Sequence, residues 1–193
     1  MYTLRVMSDE AIRVLRSRVL SIGSDLKALF AIVDDADLTD ELRTLASAAI
    51  FYNLNPANLI PEKEGMLGLA DDAIAIRCAL DDVRKAVPDR AKAYALTSPE
   101  TWDGLEHEIE LLAGLLGDHW QPLRDAWRTI GMLEWRGKKA ANAVATADDS
   151  AWLYAAVEEA LAMRDVDEAA VVREVRKDPL LSKLAQRLSV RKK

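Results

Sequence analysis

The sequence predicts an all-α fold, a bundle of about seven or eight helices around a helical hairpin whose connector is bracketed by prolines. Half of the 193 residues are apolar, while glycines number only eight and aromatic residues make up 6%. Apolar residues recur at spacings of three and four, which place them on one face of a helix. Alternating β-branched stretches, which would indicate strands, are nearly absent. A chain of this length and composition can bury a core of its own.

The charge is unevenly distributed along the chain. The net charge is −6, yet residues 171–193 hold eight lysines and arginines against two acidic residues, a local net charge of +6. An acidic body disfavours nucleic acid as a partner. Cys78 is the single cysteine, so no intramolecular disulfide can form, and we expect it to be a small core residue. Because no signal-like apolar run opens the chain, we expect a cytoplasmic protein.

The first predicted element is a long helix, capped by Ser8 or Asp9 and reaching about Val33. Its apolar residues follow the helical period, and Gly23 is expected to bend it, because glycine is a poor helix former. The acidic loop at 34–37 closes this helix. It lacks the glycine and the distal glutamate of an EF-hand loop, so we expect it to be solvated.

The helical hairpin predicted at residues 39–86 is the part of the chain whose structure the sequence indicates most clearly. Thr39 begins its first helix, which reaches about Tyr52. Pro56 and Pro61 then bracket a segment too short for a regular strand or helix. The second helix is expected to begin between residues 68 and 71 and to end near residue 86.

This pattern resembles the YkvA family, a bacterial domain family of unknown function, over about residues 42–84. The family carries a Pro-x-Asp-Leu-Ile-Pro segment, then a glycine, then a Gly-x-x-Asp-Asp helix start. The matching residues are Pro56, Asn58, Leu59, Ile60, Pro61, Gly65, Gly68, Asp71, Asp72, Ala73 and Ile74. Asn58 departs from the pattern, because the family has an acidic residue there. The resemblance implies a domain and brings no established activity.

Four acidic residues of this stretch are candidate metal ligands. Glu62, Glu64, Asp71 and Asp72 would converge if the connector folded back over the following helix, and their oxygens would suit Mg²⁺ or Mn²⁺. The alternative is a structural role. Asp71 and Asp72 would then compensate the helix dipole and accept backbone N–H bonds from the connector.

The rest of the chain is expected to form further helices over about 98–117, 118–135, 148–161, 167–177 and 178 onwards, with a short one near 90–96. Residues 1–136 form the expected helical core, residues 137–147 the expected linker, and residues 148–193 a C-terminal helical segment. Trp120, Trp127 and Trp135 are spaced to share one helix face. We expect this stripe to be packing surface, with ligand binding as the alternative.

The C-terminal helix has functional interpretations beside simple packing. Its basic side chains could bind an anionic membrane surface or contact nucleic acid. Its leucines are equally compatible with entry into a partner groove. The basic residues in question are Lys183, Arg187, Arg191, Lys192 and Lys193.

No catalytic motif points to an enzyme. His107 and His119 stand twelve residues apart without a zinc-binding partner motif, and neither a serine elbow nor a glycine-rich phosphate loop is present. We therefore expect a non-enzymatic protein-interaction or scaffold module, in which Asn58, Leu59, Ile60, Trp120 and Trp127 are the candidate contacts. The alternatives are a carboxylate-metal domain or metal-dependent enzyme, and peripheral membrane association. The sequence gives no oligomeric state.

Overall fold

The computed structural model describes residues 2–191, with side chains described from 8 to 190. Within this range the fold is 81% helical and contains no β-strand, which confirms the all-α prediction. The α-helices are α1 (Tyr2–Leu20), α2 (Ile22–Val33), α3 (Asp40–Leu54), α4 (Met66–Ala86), α5 (Pro88–Thr97), α6 (Pro99–Trp102), α7 (Leu105–Leu116), α8 (Trp120–Gly131), α9 (Ala140–Ala145), α10 (Ala147–Met163), α11 (Glu168–Glu174) and α12 (Lys177–Arg191). Short 3₁₀ turns lie at Glu62–Glu64 and Gly117–His119.

The hairpin of α3 and α4 lies at the centre of the bundle. Helix α4 packs against α1, α2, α3, α5, α7, α8 and α11, and every residue from 68 to 81 is buried. A helix that is buried on all sides must pair the charges it carries. This requirement determines much of the chemistry described below.

Several predicted boundaries are corrected by the structure. The first helix already runs through Ser8 and Asp9, so neither caps it, and the break between α1 and α2 falls at Ser21, two residues before Gly23. Helix α4 begins at Met66. Asp71 and Asp72 therefore lie in its second turn, where the helix dipole has little effect.

Helix α8 ends at Gly131, four residues earlier than predicted. A Cβ at Gly131 would lie 2.1 Å from the carbonyl oxygen of Ala48, so only glycine allows α8 to approach α3 this closely. Trp135 lies beyond α8, where it pairs through its backbone with Lys138 across a two-residue turn. The predicted stripe of three tryptophans on one helix is therefore wrong.

The expected linker at 137–147 is also corrected. Residues 140–145 form α9, which packs against α3 and α10, and Ala140 and Ala143 are buried. Small side chains in this segment allow close helix packing rather than flexibility. The same hydrophobic core includes Leu153 from α10 and Leu184 from α12, so the C-terminal helices share the core of the hairpin.

Candidate functional site

Buried polar groups of α3 and α4 form hydrogen bonds with the connector that joins these two helices. The Tyr52 hydroxyl donates a hydrogen bond to Oδ2 of Asp71 and accepts one from the Leu59 N–H at 3.0 Å. The same Asp71 oxygen accepts the Ile60 N–H at 3.1 Å. Asp71 thus has the connector-fixing geometry that the structural interpretation expected, although it acts from the second turn of α4.

Asp72 lies beside Asp71 and has different partners. Its Oδ1 accepts a hydrogen bond from the Asn58 amide nitrogen at 3.0 Å. Its Oδ2 lies 3.5 Å from Nη2 of Arg164, which follows α10. Arg164 also donates to the Asn53 carbonyl at 2.8 Å and pairs with Glu62. The Arg164 guanidinium therefore links the C-terminal end of α3, the 3₁₀ turn that contains Glu62 and the buried carboxylate of Asp72.

Burial raises the pKa of Asp71, Asp72 and Tyr52. Desolvation raises the pKa of Asp71 to about 8, against the opposing effect of its hydrogen bonds from Tyr52 and Ile60. Desolvation, with the neighbouring charge of Asp71, raises the pKa of Asp72 well above its ordinary value. The pKa of Tyr52 is raised for the same two reasons. Both carboxyl groups thus have a tendency to hold protons near neutral pH.

Glu62 and Glu64, the two glutamates predicted as metal ligands, instead form ion pairs with basic side chains. Glu62 faces Arg164, and Glu64 lies 3.1 Å from Lys183 and 3.0 Å from Arg187. Hydrogen bonding to Lys183 lowers the pKa of Glu64. In the described part of the chain, no group of three or more histidines, cysteines, aspartates or glutamates is arranged to hold a metal ion.

The predicted contact residues are mostly buried. Asn58, Leu59 and Ile60 lie inside the core, as does Trp127, while Trp120 is partly buried. In this conformation a partner would touch the borders of the connector rather than the side chains of 58–60. Their expected role in binding stays a prediction.

The basic C-terminal helix is docked along its leucine face. Leu180, Leu184 and Leu188 are buried, and Lys183 and Arg187 hold Glu64. Lys192, Lys193 and the side chain of Arg191 lie outside the described residues. Membrane binding by this segment stays a prediction. None of the helices described has the length and apolar character needed to cross a lipid bilayer.

Two adjoining clefts border the connector, and we call them together the connector trough. The first, of about 350 Å³, is lined by Leu54, Asn55, Pro56, Pro61, Glu62 and Lys63. The second, of about 290 Å³, shares Leu54 and Glu62. It is lined further by Asn53, Trp135, Arg136, Ala156, Glu159, Ala160, Met163 and Arg164. No local sequence pattern indicates the second cleft, because Arg164 and Glu62 on its two sides are 102 residues apart in the chain.

A buried charge network that the sequence analysis missed lies on the other side of α4. Arg77 is fully buried, with Nη2 2.6 Å from Asp25 and Nη1 donating to the Thr101 carbonyl at 2.7 Å. Glu108 lies 3.6 Å from Arg77 and is paired with Arg18. Two cations and two anions balance, so this network is a closed structural unit. In the sequence, the one indication of this network is an arginine within the apolar pattern of α4.

Comparison with known protein families, with curated proteins and with solved structures finds no match for this chain.

Proposed function

We propose that the protein is a non-enzymatic interaction module that binds an extended peptide segment of a partner protein in the connector trough. The observation that carries this proposal is that two clefts beside the connector share Leu54 and Glu62 in their linings. An extended peptide segment can occupy two adjoining clefts at once.

The lining of the trough has the mixed character of a recognition surface. Leu54, Trp135 and Ala156 supply apolar walls, and Met163 at the edge is 81% exposed. Methionine adapts its shape to different partners and is common at binding surfaces. Charges of both signs surround this apolar strip, as is usual at the rim of an interface.

The reactive groups of the chain support recognition rather than catalysis. Cys78 is fully buried, and its burial raises the pKa of the thiol to about 12, which disfavours the nucleophilic thiolate. His107 lies on α7, while His119 lies in the 3₁₀ turn that precedes α8. Neither lines the connector trough.

A matched pair of substitutions on α10 tests the proposal. Ala160 lines the trough, so Ala160→Trp should fill it, whereas Ala155 is exposed on the same helix outside the trough. Crosslinking in cells followed by quantitative mass spectrometry should recover one set of partners with wild type and Ala155→Trp, and lose that set with Ala160→Trp. Thermal melts establish that both variants are folded.

A purified partner from that set should bind wild type and Ala155→Trp equally and bind Ala160→Trp at least tenfold more weakly. Equal capture and equal affinity across all three proteins would overturn the proposal, because a bulky indole in the trough would then have no effect on recognition.

A further inference from the structure

A cleft of about 560 Å³ lies between α1 and the start of α12, away from the connector. Its volume falls within the range of about 300–1,000 Å³ that is usual for small-molecule sites. The basic side chains that line this cleft are Arg13, Arg16, Arg176 and Lys177. In a chain whose net charge is −6, such a gathering of cations around one cleft requires an explanation.

The helical period of α1 and one long-range hydrogen bond bring these side chains together. Asp9, Arg13 and Arg16 follow one another at spacings of four and three residues, so they share one face of α1. Nε of Arg16 donates a hydrogen bond at 2.9 Å to the carbonyl of Val175, the fully buried C-cap of α11. This bond holds the end of α11 against α1, and the two basic residues that follow Val175 therefore reach the cleft.

The positive charge of the cleft is not neutralised by ion pairs. Among the side chains described, from 8 to 190, none forms an ion pair with any of the four cations. Residues 1–7 and 191–193 contain no acidic side chain. Asp9 and Asp178 also line the cleft, so two positive charges remain in excess. Because like charges repel one another, an anion bound among these cations would be stabilising.

The guanidinium groups of the cleft suit a phosphate better than a carboxylate. Arg13 and Arg176 are exposed, and a guanidinium can donate two parallel hydrogen bonds to phosphate oxygens. A phosphate monoester carries a charge of about −1.5 to −2 near neutral pH, which matches the excess positive charge of the cleft. Ile12 lines the same cleft and offers a small apolar contact beside the charged groups.

We propose that this cleft binds a soluble small molecule that carries a phosphate group. Arg13 and Arg176 bind the phosphate oxygens, Lys177 adds positive charge, and Arg16 positions the segment between α11 and α12. The cleft shares no lining residue with the connector trough, so either proposal can fail without the other.

A titration of purified protein with phenyl phosphate tests the site directly. The ³¹P resonance of this probe, followed at an ionic strength of about 0.15 M, should shift saturably with one site per chain. Benzoate at the same concentration carries one charge on a similar ring and should not displace the probe. A ³¹P shift that does not saturate, or that benzoate reverses, would overturn the proposal.

Two double variants separate the cleft from the overall charge of the protein. Arg13→Gln with Arg176→Gln should weaken phenyl phosphate binding about tenfold or more, because charge-assisted hydrogen bonds are lost. Lys27→Gln with Lys92→Gln removes the same charge outside the cleft and should leave the affinity unchanged. All four side chains are exposed, so both proteins should melt as wild type does. Equal weakening by the two double variants would contradict the site, since net charge would then govern binding.

A further variant should change the affinity in the opposite direction. Asp9→Asn removes an anion from the lining, so phenyl phosphate should bind about two- to threefold more tightly, the effect of one exposed charge. Weaker binding by this variant would count against the cleft.

Vesicles of phosphatidylcholine and phosphatidic acid distinguish a lipid headgroup from a soluble phosphate. Wild type and the variant Arg13→Gln with Arg176→Gln should sediment equally with these vesicles. A loss of sedimentation in the variant would assign the cleft to a membrane headgroup and overturn the soluble ligand.

Discussion

At the scale of single residues, Arg77 shows how the central helix tolerates buried charge. Its guanidinium is fully buried between Asp25 and the Thr101 carbonyl, and the Thr101 hydroxyl donates to Asp25 in turn at 3.0 Å. The network links α2, α4 and α6. Such a pair need not add stability relative to an apolar core, but breaking it leaves one charge uncompensated.

We therefore predict that Asp25→Asn lowers the free energy of unfolding by about 3–5 kcal/mol, because Arg77 loses its closest anion in a buried site. Adding Arg77→Met to Asp25→Asn should recover part of the loss. Urea denaturation of the single and double variants measures this coupling.

Glu159→Gln provides the control. It breaks the exposed pair with Arg136 and should cost no more than about 1 kcal/mol. A cost of similar size for Asp25→Asn would contradict a structural role of the buried network.

Single residues differ in how far the sequence predicts their roles. Thr39 and Asp167 were expected at helix starts, and both side chains accept hydrogen bonds from backbone N–H groups there. These are local interactions within three residues. The ion-pair partners of Asp72 and Arg77 are Arg164, which follows α10, and Asp25 on α2, and no local pattern indicates such distant contacts.

At the scale of elements, the connector is an internal part of the fold. Leu59 and Ile60 are buried, and their N–H groups are taken by Tyr52 and Asp71. Gly68 allows the close approach of the connector to α4, because a Cβ there would lie 2.8 Å from the Pro61 carbonyl oxygen. The prolines and the glycine thus serve one packing arrangement.

Accordingly, Ile60→Ala should lower the free energy of unfolding by about 2–5 kcal/mol, the range for truncating a large buried side chain. Leu96→Ala, at a side chain 86% exposed on α5, should leave stability nearly unchanged. Chemical denaturation of both variants compares these values. An Ile60→Ala variant as stable as wild type would instead indicate a binding role for this side chain.

The sequence predicts element type better than element ends. The apolar period and the prolines indicate the all-α fold and the connector, whereas α9 was expected as a linker and α1 and α2 as one helix. The end of α8 depends on the contact of Gly131 with Ala48, and the start of α4 is capped by Glu174 from α11, whose carboxylate accepts the Met66 N–H at 3.0 Å. Ala48 and Glu174, which set these two helix ends, both lie far from them in the sequence.

At the scale of the whole molecule, the C-terminal helices complete the site around the connector. Arg164, Glu174, Lys183 and Arg187 all reach residues 53–72. The sequence predicts a linker at residues 137–147, yet α9 packs in the shared core. The basic residues of the C-terminal segment, which suggested an external partner, include two that bind Glu64 of this chain.

Because the pKa of Asp71 is raised, the stability of the folded protein in EDTA should depend on pH. Its pKa is about 8 in the folded protein and near the ordinary value of 3.8 in the unfolded chain. Between these values the folded protein keeps the proton and the unfolded chain releases it. Because unfolding then releases a proton, stability should fall as the pH rises towards 8.

The most direct test of the raised pKa of Asp71 beneath the connector is the stability of wild type and Asp71→Asn, measured by urea denaturation in EDTA from pH 6 to 8.5. The wild type should lose more stability than Asp71→Asn across this range, because the asparagine has no proton to release. Parallel profiles for the two proteins would contradict the account, since Asp71 would then titrate as an ordinary carboxyl group.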